Sequence, residues 1–91
     1  MSVVPGAKPA LGRGLKLQWE PAQDAHVLLF PEGQVKLNGS AGQIMIRCDG
    51  VRSVADIVAD LEKTYGATGL GPDVTAFVAL AVEKRWLELR E

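Results

Sequence analysis

Very little in this chain can do chemistry. It has one cysteine, Cys48, and one histidine, His26. A single cysteine excludes an intramolecular disulfide, and a structural zinc site would have to be assembled from His26 and carboxylates. Neither sign of charge is in excess. Ten Lys and Arg against eleven Asp and Glu leave a formal charge of −1, which argues against a dedicated nucleic-acid binder, whose affinity comes from neutralising phosphates. Aromatics are scarce, with two Trp, two Phe and one Tyr, so Leu, Val, Ile and Ala must fill most of the core. No apolar run approaches membrane-spanning length. The N-terminal stretch MSVVPGAKPALGRG lacks the apolar centre of a signal peptide. A cytoplasmic protein is expected, and the cysteine usage fits that. Gly39 and Gly42 have neither the spacing nor the lysine of a phosphate-binding loop.

What is present is enough for one small domain. The 91 residues are 47% apolar, so a folded chain with a modest core is expected. Residues 1–14 are punctuated by Pro5, Gly6, Pro9, Gly12 and Gly14 and read as a flexible arm or linker. The folded domain is then 15–91. Residues 15–20 alternate, with Leu15, Leu17 and Trp19 on one face, which is the signature of a half-buried strand. A second strand is expected over 26–30 and a third over 34–37, separated by the turn Pro31-Glu32-Gly33. Asn38 and Ser40 are both N-cap candidates, and Ser40 with Gln43 matches a capping box. The helix that follows puts Ile44, Met45 and Cys48 on one face and ends at Gly50. Ser53, with Asp56 three residues on, caps a second helix that carries Val54, Ile57, Val58, Leu61 and Tyr65 and stops at Gly66. Pro72 opens a third helix, and Trp86 either extends it or starts a short closing strand. The order predicts an α+β, winged-helix-like fold: a three-stranded antiparallel sheet followed by a three-helix bundle.

No catalytic constellation is legible, so an enzyme is not expected, nor a cofactor or a metal. An acid–base or nucleophilic site needs convergent titratable groups. His26 opens a strand in apolar surroundings and reads as structural. Cys48 reads as a small buried hydrophobe, Asp49-Gly50 as a helix-ending turn, and Asp56, Asp60 and Glu62 as a solvated face. The third helix is unusual because Asp73 and Thr75 are the polar residues between 73 and 82. Its core stripe uses Val74, Phe77, Ala81 and part of Val78. Ala76, Ala79, Leu80 and Val82 are left on flanks where charge is normal. Such a helix is either sandwiched between elements, buried in a homodimer, or one wall of an apolar groove. As a DNA-recognition helix it lacks basic and amide side chains before Lys84. The third strand, if it is a sheet edge, offers free backbone groups to an extended peptide.

These residues carry a resemblance. Val27-Leu28-Leu29-Phe30-Pro31-Glu32-Gly33, Val35-Lys36-Leu37-Asn38, Ser40-Ala41 and Cys48-Asp49-Gly50 resemble the PqqD family of pyrroloquinoline quinone biosynthesis. The likeness runs on through Ser53-Val54, Ile57, Leu61, Tyr65, Asp73-Val74 and Phe77 and spans 15–89. Phe30 stands where the family often has Tyr, and Met45 where it often has Leu. The resemblance implies a peptide chaperone that binds the ribosomal precursor peptide PqqA and presents it to the radical SAM enzyme PqqE, without nucleic acid or membrane, as a monomer or weak homodimer. It also implies that the peptide adds as a strand to 34–37 and packs on the third helix. The expected peptide-binding residues are Gln34, Val35, Lys36 and Leu37, with backbone pairing at the last three, and Thr75, Val78, Ala79 and Val82 as the groove wall. A winged-helix DNA-binding module and a dimerisation module are the alternatives.

Overall fold

Residues 3–90 are described by the structure, a computed structural model. The elements are β1 (Lys8–Leu11), β2 (Lys16–Glu20), β3 (Ala25–Phe30), β4 (Gly33–Lys36), α1 (Gly39–Met45), α2 (Val54–Tyr65), α3 (Gly71–Glu83) and β5 (Leu87–Arg90). Strands β2, β3 and β4 form an antiparallel meander in that order, and β1 pairs with β5 in a second sheet. The expected three-stranded sheet and three helices are all present. The two-stranded sheet is an addition.

Helices α1 and α2 begin where a side chain satisfies backbone donors of the first turn, whereas α3 has no side-chain cap. Asn38 caps α1, its Oδ1 accepting from the Ala41 amide at 2.8 Å. Ser40 therefore lies inside the helix and does not start it. The capping box of α2 is complete: Ser53 Oγ accepts from the Asp56 amide, and Asp56 accepts from the Ser53 amide. Gly66 ends α2 at φ +60, where a Cβ would be strained. Helix α3 starts with Pro72 in its first turn and ends at Lys84; the Trp86 amide then donates to the Ala81 carbonyl and turns the chain into β5. The core gathers Leu28 from the sheet, Ile57 from α2, Val78 and Ala81 from α3 and Leu87 from β5, each at most 1% exposed. Trp19, expected on the buried face of β2, is instead 49% exposed.

The largest departure from the expected fold is at the N-terminus. Residues 1 and 2 of the expected arm lie outside the described residues. Residues 8–11 are a strand rather than a linker, paired with β5 from Lys8↔Arg90 to Leu11↔Leu87. Pro9 and Ala10 are buried. The far side of this segment is used as well. The Pro5, Ala7 and Pro9 carbonyls accept from the amides of Ala55, Val54 and Gly50. Two of these donors belong to the first turn of α2, which has no intrahelical acceptors for them. The prolines and glycines that mimic a linker are thus those of a strap with acceptors on one edge.

Gly12 fixes the end of the strap to the turn that follows α3. Its amide donates to the Trp86 carbonyl at 2.8 Å, and a Cβ there would collide with the Arg85 carbonyl oxygen. Gly12→Ala should cost about 1–3 kcal/mol and lower the melting temperature by roughly 5–20 °C. Gly6→Ala meets nothing within 4 Å and should melt like the parent. Equal melting temperatures for all three proteins would contradict this packing.

Candidate functional site

Strand β4 pairs with β3 on one side only, so its other side is an open edge. The register is Val27↔Lys36, Leu28↔Val35, Leu29↔Gln34 and Phe30↔Gly33. The Leu37 amide donates to the His26 carbonyl at 2.9 Å. In an antiparallel ladder the bonded pairs alternate, so Leu37 and Val35 spend their backbone groups on β3. Gln34 and Lys36 turn theirs outward. Backbone pairing at Val35, Lys36 and Leu37 therefore survives only at Lys36, and Gln34 joins it. The side chains of Gln34 and Lys36 are exposed, Val35 is half-buried and Leu37 is buried.

Helix α3 buries Val74, Val78 and Ala81 and has two distinct flanks. Thr75 faces Val54, Val58 and Ala59 of α2 across a shallow hollow. Val82 borders another hollow with Arg13 and Glu88. Ala79 lies between them on the same flank by helical spacing. Val78 is 0% exposed and belongs to the core. The expected groove wall of Thr75, Val78, Ala79 and Val82 is thus split between the core and the flank that faces α2 and Arg13. At the start of the opposite flank, Asp73 and Val74 share a cleft of about 510 Å³ with Gly39, Ser40, Gln43 and Ile44 of α1 and Leu61 and Tyr65 of α2. At helical spacing this flank continues through Phe77, half-buried, and Leu80, 47% exposed, to Lys84. A helix apolar on nearly every side gives no periodic signal to say which flank is which.

Gly39, three residues past the end of β4, lines the same cleft as Asp73 at the start of α3. A Cβ on Gly12 would lie 3.1 Å from Leu15 Cδ1 and 3.2 Å from the Trp86 carbonyl oxygen, so the entry to β2 lies beside the turn that follows α3.

The titratable groups outside the groove serve the fold. The His26 ring meets Trp19 edge-on, with centroids 5.0 Å apart. It also occupies the space a Cβ on Gly42 would need, 2.9 Å from Nδ1. Cys48 is buried, and its thiol donates to the Ile44 carbonyl. Burial, and then the negative charge of Asp49, push its pKa up to about 12. Asp49 is held below the usual carboxylate range by the Arg52 and Val51 amides. Asp60 is held low mainly by its hydrogen bond from Arg47. Asp56 caps α2, and Glu62 accepts from the Leu70 amide at 3.0 Å. The three carboxylates expected to form a solvated face thus each have a local partner. Among the described residues no three His, Cys, Asp or Glu side chains converge as metal ligands would. No helix among them is long and apolar enough to cross a membrane.

The chain can be set beside known proteins. The family model for coenzyme PQQ synthesis protein D (PqqD) matches residues 25–87. A PqqA binding protein of Stutzerimonas stutzeri is 52% identical over 83 residues, 90% of each chain. One of Azotobacter vinelandii is 51% identical over 82 residues, 89% of each. Among solved structures, the solution structure of the PqqD truncation of Methylobacterium extorquens PqqCD aligns with a TM-score of 0.73 at 30% identity. It covers 96% of this chain and 95% of that one, and is described as a functional, stand-alone RiPP recognition element.

The environment of Cys48 generates a test. A thiol reagent at pH 8 should label it at least about a hundredfold more slowly in the native than in the denatured chain, because access requires opening of the core. Its linkage to stability has a definite sign. Between the ordinary thiol value of 9.0 and about 12 the unfolded chain has lost a proton that the folded chain keeps. Stability should therefore be intact below pH 9 and fall as pH rises through that window. Cys48→Ala should flatten this part of the profile. Equal labelling of native and denatured chains would contradict the buried assignment.

Proposed function

The chain belongs to the PqqD family, and from this we propose that it is a peptide chaperone of pyrroloquinoline quinone biosynthesis. In this reading it binds the precursor peptide PqqA by strand addition to β4, presents it to the radical SAM enzyme PqqE and catalyses nothing itself. The observation that carries the reading is the open edge of β4; in this reading the bound peptide also rests on the Phe77 and Leu80 flank of α3. The names of its relatives as PqqA binding proteins support the choice of peptide, and the recognition-element description of the solved relative supports the mode.

Magnitudes divide the labour between the two walls. Gln34 and Lys36 offer two N–H and two C=O groups, each worth about 0.5–1.5 kcal/mol net. That gives roughly 2–6 kcal/mol, short of the ~8 kcal/mol of a micromolar complex even before the cost of ordering the peptide. The remainder must come from apolar burial at ~25 cal/mol per Å², and Val35, Phe77 and Leu80 are the surfaces available for it. The groove wall is accordingly reassigned from Thr75, Ala79 and Val82 to Phe77 and Leu80.

Adjacent positions on α3 separate the two flanks. Leu80→Glu, at an exposed site, should weaken the binding of synthetic PqqA at least about tenfold. Ala79→Glu, on the flank toward α2, should leave it within about twofold if the domain remains folded. Lys36→Pro removes one outward donor and should also weaken binding. Calorimetry gives the affinities, and amide spectra confirm the fold. Loss of binding in Ala79→Glu with retention in Leu80→Glu would overturn the assignment. For presentation, PqqE should cross-link PqqA faster with the parent chain than with Leu80→Glu, and equal rates would sink that part of the reading.

A further inference from the structure

The meander has a second open edge. Strand β2 pairs with β3 on one side, and among the described residues no strand covers its other side. The ladder decides which of its backbone groups are free. The Leu37 amide donates to the His26 carbonyl, so His26, Leu28 and Phe30 turn their backbone toward β4. Ala25, Val27 and Leu29 turn theirs toward β2, where the register sets them opposite Glu20, Gln18 and Lys16. Those three are therefore spent, and Leu17 and Trp19 point their N–H and C=O groups outward. The side chains divide between the two faces. Leu17 and Trp19 share the face of Leu28 and His26, with Leu17 half-buried against the core and Trp19 exposed. Lys16, Gln18 and Glu20 share the opposite face, where Gln18 Nε2 donates to Glu20 Oε2 at 3.0 Å.

This edge is complementary to itself. Two copies of β2 can pair antiparallel about a two-fold axis at Leu17, Gln18 or Trp19, since an axis between residues would set free groups against spent ones. An axis at Leu17 would next need Leu15, whose amide already donates to the Gly12 carbonyl at 3.2 Å. An axis at Trp19 would next need Pro21, which has no N–H. With the axis at Gln18, Leu17 of each copy faces Trp19 of the other, and every outward N–H meets an outward C=O. The same register sets Lys16 of each copy opposite Glu20 of the other on one face, and lays Trp19 against Leu17 on the other face. Charge of one sign along an edge would resist such pairing; here each charge meets its opposite. The two β3 strands would stand about 14 Å apart, which leaves room for the α1 packed on each.

We propose that the β2 edge is a self-association surface. Two copies of the chain join across Gln18 into one continuous antiparallel sheet, with Lys16–Glu20 ion pairs on one face of the seam and Trp19 over Leu17 on the other. The two β4 edges then lie at the outer ends of that sheet, so self-association leaves both open. It does not depend on the addition of a peptide to β4.

Sedimentation equilibrium of the full chain, from about 10 μM to about 1 mM, tests it. The apparent mass should rise from the 9.7 kDa of one chain toward twice that value. Lys16→Glu sets Glu against Glu across the seam, and Glu20→Lys sets Lys against Lys. Each should weaken association by about tenfold, and Trp19→Ala should weaken it too. The double variant Lys16→Glu with Glu20→Lys restores both ion pairs and should associate like the parent, as should an equimolar mixture of the two single variants. Lys63→Glu, the same charge change on exposed α2, should leave association unchanged. Amide exchange locates the seam: the Leu17 and Trp19 amides should gain protection at high concentration, while the Gln18 amide changes little. A parent that stays at the mass of one chain at the highest concentration overturns the proposal. So does a double variant as weak as the single ones, or concentration-dependent protection that leaves out Leu17 and Trp19.

Discussion

The hydrogen bond from the Leu37 amide to the His26 carbonyl is the contact from which the rest of the site is set. It fixes the parity of the β3–β4 ladder. Parity decides that Val35 and Leu37 turn their backbone inward while Gln34 and Lys36 turn theirs to the open edge. It also decides that Val35 and Leu37 present side chains to the core face, since a one-residue slip would reverse both assignments. The next residue, Asn38, leaves the sheet in extended conformation and caps α1. The strand end, the helix start and the cleft beside Asp73 are therefore one construction. His26 serves it twice, through its carbonyl and through a ring packed where Gly42 has no Cβ.

Local signals in the sequence mark those elements whose structure neighbouring residues decide. The Ser53–Asp56 box, Gly66 and Pro72 mark α2 and α3 closely because capping is a short-range interaction. Alternation over 15–20 and the Pro31–Gly33 turn mark the meander for the same reason. The strap at 5–12 was not legible, since its meaning lies in partners some fifty and eighty residues away, in α2 and β5. Pro9 and Gly12 look like linker residues until Gly50, Trp86 and Arg85 are brought against them. The edge position of β4 is legible in the sequence, but its outward-facing residues are not, because parity depends on a pairing that composition does not show. The flanks of α3 are not distinguished by composition either: Val82 and Leu80 are equally apolar, and only their neighbours in the fold, Arg13 and Glu88 for Val82, tell them apart.

The same arrangement bears on how so small a domain offers an edge to a peptide. A chain of this length buries a limited core, and here β5 and the N-terminal strap help to close it. Helix α3 packs against α2 and β5 and leaves Leu80 exposed. An exposed edge is ordinarily a liability. In this fold it is short, four residues long.

The central claim, that a peptide adds as a strand to β4, is tested most directly by amide hydrogen exchange at single-residue resolution, with and without synthetic PqqA. The account predicts an alternating response: the Gln34 and Lys36 amides, open in the free protein, gain protection on binding, while the Val35 and Leu37 amides, already bonded to β3, change little. Protection that appears elsewhere and leaves Gln34 and Lys36 exchanging freely would contradict it.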